Sequence, residues 1–160
     1  MEILNMITLS PTTINDLAFL YEFQLDEEAR HRAAFTPTDV PDKTAYINKH
    51  SKFLSDPSIN NQTILVDAII AGSIAKFMLF GDAEITYWID RQFWGRGVAG
   101  KALDQFLKIE NTRPLFGRVA FDNIGSQKVL EKCGFKKTGT DKGFAHARQE
   151  EVEEFIFRLD

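Results

Sequence analysis

The amino-acid sequence predicts an α/β fold with a mixed, mainly antiparallel central sheet flanked by helices, in the order β-α-α-β-β-β-α-β-α-β-β. Three observations carry this reading. Residues 63–66, 69–80 and 84–89 are rich in β-branched and aromatic side chains and are separated by turns at Asp67-Ala68 and Gly81-Asp82. Turns this tight join antiparallel strands, because a parallel pair needs a crossover of about a dozen residues or more. A glycine-rich segment, 95–100, then leads into a helix, and a strand-helix-strand pattern follows it.

The elements can be justified in chain order. Residues 6–9 form a short apolar strand ending at Ser10-Pro11. Thr13 followed by Asp16 resembles a capping box, and Leu17, Leu20, Tyr21 and Gln24 lie on one stripe of a helix running to about Arg30. Pro37 and Pro41 break the chain, and Asp42 opens a second helix through Tyr46, Ile47, Phe53 and Leu54 that stops at Asp56-Pro57. After the three strands of the meander, Ala99, Ala102, Leu103, Phe106 and Leu107 form the apolar stripe of a helix. Residues 115–121 read as a strand, 123–133 as a helix closed by Gly134, and 135–138 and 152–159 as the last strands.

At 160 residues the chain suits one domain, 1–160, with enough length for a core. A composition of 44% hydrophobic and 26% charged residues excludes disordered and low-complexity classes. The formal charge of −4 leaves no global footprint for nucleic acid or an anionic membrane. Cys133 stands alone, so no internal disulfide forms. Residues 1–6 have neither a basic nor a long apolar run, and no stretch approaches about 18 apolar residues. No signal peptide, no membrane span and a cytoplasmic location are therefore expected. His31, His50 and His146 show no metal-ligand spacing, so no metal is expected either.

The segment from Asp90 to Lys101 is the most informative. It links a strand to a helix, where free backbone N–H groups and the helix dipole favour a phosphate, and its glycines allow close approach. Gly95-x-Gly97-x-x-Gly100 fits a dinucleotide fingerprint, with Asp122 ending the next strand as a ribose-binding acid. That fold requires a parallel sheet starting at this strand and a tight turn into the first Gly, whereas here a hairpin precedes and Phe93 and Trp94 intervene. Gly95 to Gly100-Lys101 fits a P-loop up to its last position, where Ala102 replaces the Mg²⁺-binding hydroxyl.

Gln92-x-x-Gly95-x-Gly97 after a strand resembles the acyl-CoA-binding motif of the GNAT superfamily of N-acetyltransferases. Asn123-x-x-Ser126 followed by 129–135 resembles that family's later helix and turn, and residues 84–89 its fourth strand. The nearest flavour is the subgroup of ribosomal-protein N-terminal acetyltransferases. The resemblance implies acetyl-CoA as co-substrate, its pyrophosphate on the N–H groups of Gly95, Arg96, Gly97, Val98 and Ala99, with Gln92 in the same motif. It also implies pantetheine contacts at Ile89 and Asn123, with Trp94 over the cofactor or packed in the core. The activity it implies is direct acetyl transfer to a primary amine, either a protein or peptide N-terminus or a small amine. A non-catalytic acyl-CoA-binding module of the same fold is the alternative. The partners expected are acetyl-CoA and an amine, without nucleic acid or membrane, in a monomer or homodimer.

The resemblance places Glu84 as the base that removes the amine proton; a solvated edge-strand Glu is the competing reading. Alternation sets Glu84 with Thr86 and Trp88, opposite Ile85, Tyr87 and Ile89. Ser126 shares a helical stripe with Val129, Leu130 and Cys133, so it points inward, where its hydroxyl suits the departing sulfur or bonds back to the helix. Many relatives carry a Tyr as acid where this chain has Leu130, which leaves Ser126 or water for that role. His31 and Phe35, between the first two helices, fall in the region that shapes the acceptor pocket in the resembled family. Residues 91–101 carry +3, residues 123–137 another +3, and the rest of the chain −10, so two basic segments flank the expected polyphosphate site.

Overall fold

The structure is a computed structural model that describes residues 6–36 and 40–160. The first five residues, read above for a leader, and the break at Pro37 lie outside the described residues. One seven-stranded sheet runs in the order β1-β2-β3-β4-β5-β7-β6. Its strands are β1 (Ile7–Pro11), β2 (Asn60–Val66), β3 (Ile69–Leu79), β4 (Asp82–Ile89), β5 (Leu115–Ala120), β6 (Lys136–Ala145) and β7 (Glu150–Leu159). The helices are α1 (Ile14–Phe23), α2 (Glu27–Ala33), α3 (Lys43–Leu54), α4 (Val98–Ile109) and α5 (Ile124–Lys132). All neighbouring strands are antiparallel except β4 and β5, joined by the crossover through α4. No helix among the described residues is long and apolar enough to cross a membrane.

The sequence order is corrected by one helix. The single helix expected to about Arg30 is two, because Asp26 starts a new one: its carboxylate accepts from the N–H groups of Glu28 at 3.0 Å and Ala29 at 3.4 Å. Trp88 Nε1 meanwhile donates to the carbonyl of Phe23, the last residue of α1, at 3.2 Å. The second hairpin turn also shifts by one residue, to Phe80-Gly81, with φ of 49° and 86°. Leu79 pairs with Asp82 across it, so two residues with positive φ close the hairpin as a primed turn requires. The strand expected at 135–138 runs instead to Ala145 as the charged outer edge of the sheet, a polar edge being compatible with solvent.

The core forms where α4 lies on the sheet. Phe106, Leu103, Ala102 and Val98 pack with Ile64, Ile74, Ile85 and Leu115. Burying each large apolar side chain contributes about 1.5–3 kcal/mol. This fixes α4, and with it the loop that opens it, against β4. Two details shape the end of β4. A Cβ at Gly72 would stand 2.0 Å from the Trp88 carbonyl oxygen, so β3 approaches β4 more closely than any side chain permits. On its other side β4 pairs with β5 at three positions only, ending at Ile85 and Gly117. Past that point the two strands separate, and their edges open onto a cavity.

Candidate active site

A cavity of about 1140 Å³ runs from the opening of α4, past the end of β4, to a wall made by α1–α3. Gly95 and Gly97 adopt φ of 74° and 73°, the left-handed region where a side chain is strained, and both are exposed. Gly97 is the N-cap of α4 and offers no side chain, so the first-turn N–H groups have no capping oxygen. Gly95, Gly97, Val98, Ala99 and Gly100 all line the cavity. Trp94 lines it too; its Nε1 donates to the Ile89 carbonyl at 2.8 Å, and the Arg32 guanidinium lies 4.5 Å from its ring centroid. The indole thus joins the loop to the end of β4, and the Ile89 carbonyl is already bonded. Gln92 and Arg96 are exposed outside the lining: Gln92 donates to Asp90 at 2.8 Å, and Arg96 stands 5.7 Å from the Phe93 ring.

Opposite the loop, α5 begins at Asn123, whose side chain accepts from the Ser126 N–H at 3.3 Å. Asn123 and Ser126 both line the cavity. The Ser126 hydroxyl lies 2.5 Å from the Tyr87 hydroxyl, and Tyr87 lines the cavity as well. Burial pushes the Tyr87 phenol up to about 12, against the lowering effect of Ser126, so the pair keeps its protons at neutral pH. Leu130, one turn along α5, is buried over Gly117 and Ile85, the last paired residues before β4 and β5 part. Residue 130 is therefore a packing position, and the hydroxyl group at this junction comes from β4. Sequence reasoning missed Tyr87 because alternation shows which face of a strand a residue occupies but not which helix lies on that face.

Glu84 is placed elsewhere. It is 4% exposed, lies outside the cavity lining, and accepts from Arg118 Nε at 3.0 Å. Arg118 also donates to Glu154 at 3.0 Å and Asp141 at 3.3 Å. Burial pushes the Glu84 carboxyl above its usual range, because one guanidinium shared among three carboxylates does not offset the desolvation. Arg118, unlike Glu84, faces the cavity.

The acceptor-side expectations divide. Phe35 lines the large cavity, whereas His31 lines a separate one of about 560 Å³ with Glu28, Arg91 and His146. Arg148 secures that region: it donates to the His31 carbonyl at 2.8 Å and to both Asp122 carboxylate oxygens at 2.6 and 2.8 Å. Cys133 is half-buried outside the lining, 3.8 Å from the Gly100 carbonyl, and burial pushes its thiol up, which disfavours a nucleophilic thiolate. The wall itself is aromatic. Tyr46, His50 and Phe53 follow one face of α3 at i, i+4 and i+7, a stripe readable in the sequence but indistinguishable there from core.

Residues 6–136 match the family described as Acetyltransferase (GNAT) domain. An uncharacterized N-acetyltransferase of Bacillus licheniformis is 26% identical over 164 residues, spanning 96% of this chain and 92% of that protein. Among solved structures, the ribosomal alpha-N-protein acetyltransferase RimL, in complex with coenzyme A, has a TM-score of 0.80 at 17% identity, covering 96% of this chain and 94% of that one. The microcin self-immunity acetyltransferase MccE, in complex with acetyl-CoA and AMP, has a TM-score of 0.78 at 17% identity, over 96% and 91% of the two chains. At such identities the solved structures establish the fold, and the family match spans most of the chain. With its glycine-opened α4, parted β4 and β5 and connecting cavity, the chain belongs to the GNAT acetyltransferase family.

Proposed function

We propose that this chain, as one N-acetyltransferase domain over residues 1–160, transfers acetyl from acetyl-CoA directly to a primary amine. The observation that carries this reading is the single cavity lined by both the opening of α4 and the α1–α3 wall, so two substrates can meet without leaving the protein. The uncapped N–H groups at Gly97, Val98 and Ala99 suit a pyrophosphate, through hydrogen bonds and the helix dipole. Arg96 stands exposed beside them to add a charge, and Trp94, Ile89 and Asn123 line the passage inward.

The amine nitrogen attacks the thioester carbonyl carbon, the C–S bond breaks, and the sulfur leaves with a proton. Ser126 relays that proton, its own being replaced in the same motion from the hydrogen-bonded Tyr87 hydroxyl, which is reprotonated from water. The amine must be neutral to attack; an α-amine of pKa about 8 is already about a tenth deprotonated at pH 7. Glu84, held on Arg118 outside the lining, accepts the departing proton through water in this reading.

Calorimetry with CoA, NAD and ATP tests the loop: CoA should bind, and binding of NAD without CoA would overturn the reading. A thiol-release assay against amines and peptides then tests transfer. Acetyl-CoA binding without thiol release from any acceptor would leave a binding module in place of an enzyme.

A further inference from the structure

The acceptor end of the cavity has an unusual charge balance for an amine site. Its wall is a run of rings: Tyr46 and His50 have centroids 4.1 Å apart and His50 and Phe53 5.3 Å, with Tyr21 outside the lining packed 5.2 Å from Tyr46. Burial, assisted by Lys49, lowers the His50 pKa, so this imidazole is neutral at pH 7 and belongs to the apolar wall. From the sheet the lining takes Ser73, Ala75 and Thr86, small residues set beside the larger Phe77 and Trp88.

Among the described residues, three charged side chains line the cavity, Arg32, Asp56 and Arg118, and both cations are engaged with acids or rings. Arg32 lies over Trp94 and pairs with Glu28 at 3.1 Å. Asp56 is exposed and keeps its negative charge, its Oδ1 accepting from the neutral N–H and hydroxyl of Ser58 at 2.9 and 2.7 Å. Arg118 is surrounded by Glu84, Glu154 and Asp141. Among the described residues, an amino acid entering here meets no uncommitted cation for its carboxylate. An unpaired substrate carboxylate would have to be desolvated without compensation. A single ammonium, by contrast, is attracted to ring faces, and leaving water lowers its pKa toward the neutral nucleophile.

We propose that the acceptor is a small amine on an aromatic body with no carboxylate, bound between the α3 rings and Ser73, Ala75 and Thr86 of β3 and β4. This rests on the acetyl-transfer reading of the same cavity. The reaction balances as protonated amine plus acetyl-CoA giving N-acetylamide, free CoA thiol and one proton released to water.

The test compares phenethylamine, L-phenylalanine, spermidine and a neutral peptide amide as acceptors. Phenethylamine and phenylalanine share a body and differ by the carboxylate, so they read the charge requirement directly. Phenethylamine should show a kcat/KM at least tenfold above the other three; equal or better turnover of any of them overturns the proposal. Phe53→Ala and His50→Ala should each raise the KM for phenethylamine about fivefold or more while leaving the Kd of acetyl-CoA unchanged, and an unchanged KM in both overturns it. Calorimetry of phenethylamine against CoA-loaded protein reads the pocket without turnover. Saturable binding that Phe53→Ala weakens supports the proposal, and no binding overturns it. Absence of thiol release with every acceptor, despite bound acetyl-CoA, would instead count against the acetyl-transfer reading itself.

Discussion

The cavity wall that opens α4 is built from backbone, whereas the wall facing it, on α1–α3, is built from side chains. The first uses two glycines in left-handed conformation and a row of uncapped N–H groups. The second uses rings drawn from residues 46–53 and set against strands that begin at residue 69 or later. Backbone groups recognise what all users of a common co-substrate share, a pyrophosphate, and depend little on neighbouring side chains. Side chains recognise what distinguishes one acceptor from another, and they are useful only if distant segments are brought into place. The two walls should therefore fail separately.

The largest expected effect tests what both walls share. Phe106 is fully buried between α4 and the sheet. Phe106→Ala should cost about 3–5 kcal/mol of stability, read as a lowered midpoint in urea unfolding. If α4 is seated as described, CoA affinity falls with it; a loss below about 1 kcal/mol would mean that the helix is held by something else.

Next is the junction between the walls. Ser126→Ala should lower kcat about a hundredfold, since general acid–base groups contribute about 10²–10⁴. Tyr87→Phe should do less, and the double variant no more than Ser126→Ala, because groups acting as a unit are not additive. The Kd of CoA should stay unchanged in all three. Independent, multiplying losses would separate the two hydroxyls despite their 2.5 Å contact.

A smaller and more selective loss should come from Gly97→Val. Its φ of 73° costs a non-glycine residue about 1–2 kcal/mol, which corresponds to roughly a tenfold weaker CoA if the loop yields in place of the fold. Binding of phenethylamine to the opposite wall should be untouched. Weakening of both would show that the walls are coupled.

The same contrast explains what could be read in the sequence. The glycine spacing, the Asn123 cap and the inward Ser126 were legible because each depends on residues within one loop or one turn. So were the meander and the helix after Asp42, whose periodicity and caps are local. The break at Asp26 was not legible, because Leu17 to Gln24 continue a helical stripe and the Trp88 indole that bonds the Phe23 carbonyl at the end of α1 lies 65 residues away. Nor was the fate of Glu84. Its partner Arg118 is 34 residues away, and the parallel register of β4 and β5 that brings them together is set by packing of α4. Nor was the contact between Tyr87 and Ser126: both residues were visible, but their distance was not.

The smallest predicted effect separates two ion pairs by the sign of their pH dependence. Asp122 is held below its usual range by its hydrogen bonds to Arg148, with burial opposing. Its folded pKa is lowered, so its contribution is present above the unfolded value of 3.8 and lost as pH falls through the folded pKa. Asp122→Asn should therefore cost about 1 kcal/mol at pH 7, discounted for exposure of the carboxylate, and progressively less below pH 3.8. Glu84 is raised, so between the unfolded 4.5 and its folded value the native state binds the additional proton, and stability falls as pH rises through that interval. Glu84→Gln abolishes this fall, so its stability relative to the parent should be higher at pH 7 than at pH 4, the reverse of Asp122→Asn. Urea unfolding at pH 7 and pH 4 reads Glu84→Gln, and unfolding at pH 7 and below pH 3.8 reads Asp122→Asn. Equal signs would mean that Arg118, despite its three carboxylates, neutralises Glu84 as fully as Arg148 neutralises Asp122.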